Sequence, residues 1–123
     1  MEALSTNHAP AAIGPYSQAV RVGDFVYASG QIPLTPAGEL VEGDIAAQAT
    51  QCLDNVEAIL ESAGLTMANV VKVTVFLTDM SDFAAANEVY GSRFAQPYPA
   101  RSAVAVAALP KGANIEIEVI AHR

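Results

Sequence analysis

Residues 99–110 read PARSAVAVAALP and residues 115–119 read IEIEV, and these two segments decide the fold. Both segments are apolar with a period of two, which predicts two β-strands. On the first strand Arg101 shares a face with the alanines at alternate positions up to 107. On the second strand Glu116 and Glu118 share a face opposite the isoleucines. Each strand therefore carries charge that an ordinary core strand lacks.

These charges have two interpretations, because burying a charge costs free energy unless the charge is paired. One interpretation is a structural ion pair between Arg101 and a glutamate. The other is a site in which Arg101 holds an anionic ligand and a glutamate does acid–base work. The spacing of the residues alone favours the ion pair.

The composition predicts one domain that associates with copies of itself. A chain of 123 residues fits a single domain spanning 1–123. Apolar residues make up 52% of it and charged residues 15%, so a domain this small has more apolar surface than it hides alone. We therefore expect an oligomer. The net charge of −7 argues against nucleic acid as a partner, because nucleic-acid binding depends on basic patches.

The single cysteine, Cys52, excludes an internal disulfide and a thiolate-rich metal site, and its place in a helical apolar stripe predicts a packing role. The N-terminus lacks the basic and apolar regions of a signal peptide. No apolar run is long enough to span a membrane. We therefore expect a cytoplasmic protein without a membrane partner.

Hydrophobic periodicity and turn residues predict the remaining elements, with residues 1–13 as a polar lead-in. The predicted elements are strands at 16–22 and 25–31, a helix between its N-cap Asp44 and its stop Gly64, a strand at 71–77, and a helix from Phe83 to about Phe94 capped by Ser81 or Asp82. This order predicts an α+β fold, a two-layer sandwich of one mixed or antiparallel sheet with two helices on one face.

The other face of this sheet is too mixed for a core and too apolar for open water. It is expected to carry Lys72, Thr74, Phe76, the alanines that follow Arg101, and the two glutamates. We interpret it as a subunit interface that holds a polar site.

Asn87 is unusual because it falls on the apolar face of the second predicted helix. A buried amide needs hydrogen-bond partners. The sequence leaves open whether Asn87 fixes a neighbouring loop or contacts a ligand.

The chain resembles the Rid family of reactive intermediate deaminases, also called the YjgF family, over nearly its full length. The resemblance rests on ordered blocks: AAIGPYSQA at 11–19, ASGQIP at 28–33, KVTVFL at 72–77, and PARS at 99–102 with LP at 109–110 and IEI at 115–117. It implies a chorismate-mutase-like fold that assembles as a homotrimer with active sites between subunits.

The resemblance also implies the chemistry: hydrolysis of 2-imino acids such as 2-iminobutanoate and 2-iminopropanoate to 2-oxo acids and ammonia, with no metal or cofactor. Arg101 would clamp the substrate carboxylate, since its fork matches a carboxylate in bidentate fashion. Glu116 would orient or activate the water. The other residues that match the family's pocket are Tyr16, Ser29, Gly30, Asn87 and Ala103.

Two departures from the family pattern bear on these expectations. Ala103 stands where members commonly have cysteine, which keeps the backbone carbonyl that helps hold the water but removes a thiol. The loop at 94–99 is shorter than is usual, which leaves the accepted side-chain size open. An alternative function is non-catalytic binding of small 2-oxo or other carboxylate metabolites, which needs Arg101 but not Glu116. A ribonuclease, also suggested by relatives, fits poorly with the acidic charge.

Overall fold

The computed structural model describes all 123 residues, which form one sheet of six strands with two helices. The elements are β1 (Glu2–Leu4), β2 (Ala19–Val22), β3 (Phe25–Ala28), α1 (Ile45–Ser62), β4 (Val70–Leu77), α2 (Phe83–Arg93), β5 (Ala100–Ala105) and β6 (Ile115–His122). The strand order is β1-β2-β3-β6-β4-β5, parallel between β4 and β5 and antiparallel elsewhere. The predicted α+β architecture with a mixed sheet is confirmed.

Helix α1 begins and ends as its sequence predicts. The Asp44 carboxylate accepts a hydrogen bond of 2.9 Å from the backbone N–H of Ala47, which satisfies one of the free donors of the first turn. Past the other end Gly64 adopts φ +75°, the left-handed conformation that glycine takes without strain. The apolar stripe between these ends is buried from Ala49 onward, and each large buried side chain in it contributes about 1.5–3 kcal/mol to stability.

One face of the sheet packs under the helices and forms a single core with them. Alternate residues of β4 and β6 point into this core and are at most 6% exposed: Val73, Val75, Leu77, Ile115, Ile117, Val119 and Ala121. The Cys52 thiol lies in the same core and donates to the carbonyl of Ile115, and burial raises the pKa of the thiol far above its usual value. The packing role predicted for this cysteine is confirmed.

The N-terminal third differs from its prediction in two ways. Residues 2–4 form the edge strand β1, not a polar lead-in, and Glu2 pairs with Arg21 of β2 at 3.3 Å. The two following strands are shorter than predicted, and β2 begins only after the buried Gln18, whose side chain hydrogen-bonds the backbone of segment 6–10. The chain leaves β3 after Ala28 and regains the sheet only at a bridge between residues 31 and 117.

Helix α2 begins at Phe83, but neither predicted cap bonds it with a side chain. Asp82 occupies the N-cap position without a side-chain hydrogen bond. Asp79 instead caps the preceding short turn by accepting from the backbone N–H of Ser81 at 2.9 Å. At the other end Arg93 pairs with two carboxylates of α1, at 2.9 Å and 2.7 Å, and so ties the two helices together.

The two faces of the sheet carry different residues from those predicted. In the β4–β5 register Val73 lies beside Arg101, Val75 beside Ala103 and Leu77 beside Ala105, so Ala103 and Ala105 lie on the helix-covered face. The prediction that they share the open face with the glutamates is therefore wrong, because parallel pairing fixes which residues of β5 point each way. The open face carries Lys72, Thr74, Phe76, Ser102, Val104, Glu116 and Glu118. No helix combines the length and the apolar character that crossing a membrane would require.

Candidate active site

Arg101 lies on the edge strand β5 and its guanidinium reaches back over α2. The guanidinium carbon is 4.7 Å from the ring centre of Tyr90 and 5.3 Å from that of Phe83. Its Nη1 donates a hydrogen bond of 2.6 Å to Oδ1 of Asn87. No carboxylate lies within ion-pair distance, since the ion pairs of the chain use Arg21, Arg93 and Arg123. The structural ion pair that the spacing favours is therefore absent from the protomer.

Asn87 is exposed, although its helical position predicts a buried amide. The residues of α2 that face the core are Ala86 and Tyr90, one residue before and three residues after it. The partner of its side chain is Arg101, not a loop. The arrangement leaves most guanidinium N–H groups unpaired, while the guanidinium carbon lies within 5.3 Å of the centres of two aromatic rings.

A cavity of about 430 Å³ opens beside this guanidinium. Its six lining residues are Asn87, Tyr90, Gly91, Tyr98, Pro99 and Arg101, and we call it the Arg101 pocket. The aromatic support from Phe83 and Tyr90 was not predicted as part of a site, because their helical spacing is typical of core residues. The signal that could have identified them is their register, which places them one helical turn either side of Asn87.

Glu116 lies on β6, on the open face of the sheet, with its carboxylate packed against the backbone of Gly30. A methyl group added to Gly30 would overlap Oε1 of Glu116 and lie 2.8 Å from its carboxyl carbon. Gly30 is therefore needed for space, not for an unusual backbone angle. Burial raises the pKa of the Glu116 carboxyl, and the negative charge of Glu118 raises it further.

Ser29 and Tyr16 lie on the same side as Glu116. The Ser29 hydroxyl donates a hydrogen bond of 2.6 Å to the carbonyl of Ser17, which leaves the hydroxyl oxygen free to accept a hydrogen bond. Tyr16 is 53% exposed, and its hydroxyl accepts a hydrogen bond from the backbone N–H of Ile13 at 3.3 Å. Both polar groups are thus fixed by the backbone next to them.

A groove of about 740 Å³ joins these four residues, and we call it the Glu116 groove. Tyr16, Ser29, Gly30 and Glu116 all line it. Lys111 lines it as well, with φ 58°, and has no ion-pair partner in the chain. Sequence reasoning missed Lys111, although it follows the quoted Leu109–Pro110 pair directly.

The predicted site residues therefore divide into two groups within one protomer. Strand β4 lies between the two residues, since its Val73 lies opposite Arg101 of β5 and its Phe76 lies opposite Glu116 of β6. With about 4.8 Å between neighbouring strands and about 3.3 Å per residue along a strand, the Cα atoms of Arg101 and Glu116 are about 14 Å apart. Their side chains also point to opposite faces of the sheet. Ala103 accompanies Arg101, half-buried against the core. A single chain does not bring the cation and the acid into one pocket.

The family comparisons agree with the motifs. The profile of the family described as Endoribonuclease L-PSP matches residues 6–123. The 2-iminobutanoate/2-iminopropanoate deaminase of Escherichia coli K12 is 52% identical over 123 residues, which cover 98% of this chain and 96% of that protein.

The solved structures agree as well. The crystal structure of RidA from the Antarctic bacterium Psychrobacter sp. has a TM-score of 0.96 and 52% identity, covering all of both chains. That of E. coli TdcF with bound serine has a TM-score of 0.94 and 46% identity, covering 100% of this chain and 99% of that one. Fold, sequence and motif order coincide over the whole length, and the chain belongs to the Rid family, whose members are also known as YjgF or RutC proteins.

Proposed function

We propose that this chain hydrolyses reactive 2-imino acids such as 2-iminobutanoate and 2-iminopropanoate to 2-oxo acids and ammonia. The observation that carries the proposal is the 52% identity, over almost the whole of both chains, with the E. coli protein named for that deamination. The geometry of Arg101 and Glu116 supports it and suggests how the reaction proceeds.

Arg101 is proposed as the clamp for the substrate carboxylate. Its guanidinium is held against the rings of Phe83 and Tyr90 and has no carboxylate partner of its own. A free, pre-oriented fork binds a carboxylate through two parallel hydrogen bonds. Binding at this point fixes the position of the adjacent imine carbon.

Glu116 is proposed as the proton carrier. Water adds to the imine carbon and the electrons of the C=N double bond move to nitrogen; Glu116 takes one proton from the water and gives it to nitrogen. The resulting amino alcohol then forms C=O as its C–N bond breaks. Glu116 moves the hydroxyl proton to the departing nitrogen, which leaves as ammonia, and the carboxylate is regenerated. A raised pKa makes the Glu116 carboxylate a stronger base, which favours its taking a proton from the water.

The remaining site residues are proposed to position substrate and water. Tyr16 and Ser29 offer hydroxyl oxygens in the Glu116 groove, and Gly30 gives the carboxylate its space. Asn87 orients Arg101 through the 2.6 Å hydrogen bond. Ala103 is proposed to contribute its backbone carbonyl to the water. None of these steps calls for a metal or a cofactor.

The assembly is proposed to be a homotrimer in which each site combines Arg101 of one copy with Glu116 of the next. What supports this is the separation of the two groups on opposite faces of the sheet, together with an open face that carries apolar residues between its charges. A heterologous contact repeated around a three-fold axis closes into a ring. Cytoplasmic location stays a prediction.

The activity is tested by coupling purified protein to a threonine dehydratase and following the release of 2-oxobutanoate. The protein should accelerate release beyond the spontaneous rate, Arg101→Ala should abolish the acceleration, and Glu116→Gln should severely weaken it. Arg123→Ala and Glu61→Gln are the matched controls, since neither residue lines either pocket. Circular dichroism checks that each variant is folded. No acceleration by the wild-type protein would overturn the proposal.

The shared site is tested by co-expressing the two inactive variants. In a random one-to-one mixture about one site in four combines an intact Arg101 with an intact Glu116 from its neighbour, so part of the activity should return. A site built within one copy would leave the mixture inactive. Sedimentation of the wild-type protein as anything other than a trimer would contradict the assembly directly.

A second candidate function is non-catalytic binding of small carboxylates in the same cleft. It is favoured by the solved structure of TdcF, which holds serine, a small molecule with a carboxylate. Under this alternative Glu116→Gln would leave 2-oxobutanoate binding intact and no variant would alter imine hydrolysis. The coupled assay therefore separates the two functions.

A further inference from the structure

Lys111 lies in the turn that leads into β6, in a backbone conformation that lysine seldom adopts. Its φ is 58° and its ψ is 22°, in the left-handed region, and it is the one residue other than glycine with a positive φ. The next residue, Gly112, has φ 69°. Glycine or asparagine suits such a turn best, because a larger side chain is strained there. The turn itself therefore does not account for a lysine at position 111.

The Lys111 side chain lies at the wall of the Glu116 groove. It is exposed, and it is the only cationic side chain that lines this groove. Its ammonium group forms an ion pair with none of the carboxylates of the chain, whereas three of the arginines are ion-paired. An unpaired positive charge therefore stands in the groove that holds the proposed proton carrier.

The groove needs a positive charge because the substrate is an anion and its surroundings are negative. The chain has a net charge of −7, and Glu118 shares the open face with Glu116. These charges repel the carboxylate of an imino acid as it enters. Within one protomer Arg101 does not offset them, since its Cα lies about 14 Å from that of Glu116, across β4. A cation on the groove wall lowers the repulsion and raises the local concentration of an anion.

The charge of Lys111 is not used up by Glu116. The pKa of the Glu116 carboxyl is raised, by burial and then by the negative charge of Glu118, although Lys111 lines the same groove. A lysine in contact with that carboxylate would instead lower its pKa. The ammonium group is therefore available to an entering ligand.

We propose that Lys111 is a second cationic contact for the substrate, which attracts the carboxylate of the imino acid from the wall of the Glu116 groove while Arg101 clamps it. The inference rests on the proposed function, because it takes a small anion as the ligand of this site. The substrate carboxylate keeps its charge throughout the reaction, so Lys111 favours the bound substrate and the transition state equally. Its contribution therefore lies in KM and not in kcat.

The test compares Lys111→Asn with Arg123→Asn, since each removes one positive charge and Arg123 lines neither the Arg101 pocket nor the Glu116 groove. Asparagine tolerates the left-handed backbone, so Lys111→Asn should fold like the wild-type protein, which circular dichroism checks. A D-amino acid oxidase generates 2-iminopropanoate from D-alanine, and each variant is compared with the wild-type protein in the same mixture.

At low ionic strength Lys111→Asn should raise KM for 2-iminopropanoate roughly three- to tenfold and leave kcat unchanged. In about 0.5 M sodium chloride the difference in KM should shrink to less than about twofold, because salt screens the attraction. Lys111→Arg keeps the charge and should restore the KM of the wild-type protein. Arg123→Asn should match the wild-type protein at both salt concentrations.

A binding experiment keeps this inference separate from the proposed function. Calorimetry uses pyruvate, the stable 2-oxo counterpart, and pyruvamide, its uncharged amide. Lys111→Asn should weaken the binding of pyruvate and leave that of pyruvamide unchanged. If the wild-type protein hydrolyses no imine but this difference is found, the proposed function fails and the Lys111 contact stands.

Two results would overturn the Lys111 contact. One is hydrolysis of 2-iminopropanoate by Lys111→Asn with the KM of the wild-type protein at low ionic strength. The other is a lower kcat in Lys111→Asn together with an acidic limb of the pH profile moved to higher pH. That combination would show that Lys111 acts through Glu116, because removing a nearby positive charge raises the pKa of a carboxyl.

Discussion

The Arg101 pocket and the Glu116 groove hold their charged groups by different means. Arg101 is exposed and is positioned by other side chains, two aromatic rings and the Asn87 amide, all on one helix. Glu116 is half-buried and is positioned by space in the backbone at Gly30. The cation therefore keeps its solvation and its unpaired donors, while the acid loses part of its solvation and gains a raised pKa. Binding an anion requires an exposed cation with free donors, whereas transferring a proton is helped by partial burial of the acid.

The largest loss of activity is expected when Arg101 is replaced. Arg101→Ala removes at least two charge-assisted hydrogen bonds to the substrate carboxylate, about 3 kcal/mol or more, which is about 10²-fold or more in kcat/KM. Arg101→Lys keeps the charge but not the fork or the stacking, so it should fall between the alanine variant and the wild-type protein. Steady-state kinetics with 2-iminobutanoate measures both. Equal activity of the lysine variant and the wild-type protein would show that charge alone is used.

Adding the smallest possible side chain at Gly30 should disrupt the Glu116 groove. Gly30→Ala fits the backbone, since Gly30 has no positive φ, but its methyl group must displace the Glu116 carboxylate. Misplacing a catalytic group by about 1 Å can cost up to about 10²-fold in rate, and we expect a loss of tenfold or more. The free energy of unfolding should change by no more than about 1 kcal/mol, because the end of a flexible side chain moves.

A double-mutant cycle sharpens this prediction. Glu116→Asp shortens the side chain, so adding Gly30→Ala to it should cost much less activity than Gly30→Ala alone. Independent, multiplicative losses would mean that Gly30 acts on something other than the Glu116 carboxylate.

The architecture was predictable wherever one local signal acts alone. The capped helix α1 and the aliphatic strand β4 follow directly from Asp44, Gly64 and the spacing of apolar residues. The edge strand β1 was not predictable, because residues 2–4 form a strand only by pairing with β2 across a long loop. The prediction of which sheet face each residue of β5 occupies was wrong for the same reason. Alternation shows that Arg101 and Ser102 point apart, but only the register with β4 decides which of them faces the helices.

The site residues were predicted by motif, and their arrangement was not. Arg101 and Glu116 are marked in the sequence as charges inside apolar strands. Their separation to opposite faces depends on β4 lying between β5 and β6, which is long-range pairing. The support of Arg101 by Phe83 and Tyr90 was hidden because an aromatic residue at helical spacing is first a core residue.

The aromatic support of the Arg101 pocket makes a prediction on stability. The Tyr90 hydroxyl is buried without a partner, and burial raises its pKa while the nearby Arg101 charge lowers it. Tyr90→Phe removes an unsatisfied polar group and keeps the ring, so the free energy of unfolding should rise by up to about 1 kcal/mol. Urea unfolding measures the change. A loss of stability would show that this hydroxyl has a hydrogen-bond partner in the assembled protein.

The smallest effect on activity is expected from replacing Glu118, the neighbour of Glu116. Burial is the main cause of the raised pKa of Glu116, and the charge of Glu118 is the second. If ionised Glu116 accepts the first proton, kcat/KM falls as pH drops through its pKa, and Glu118→Gln, by removing a negative charge, should move this acidic limb to lower pH. The limb should not return to the position of an exposed glutamate, since burial remains. Added salt should move the limb of the wild-type protein the same way, and that of Glu118→Gln less, because only the charge contribution is screened. An unmoved limb in Glu118→Gln, with Glu61→Gln as the control, would mean that another group sets the acidic limb and that Glu116 does not start the reaction as a base.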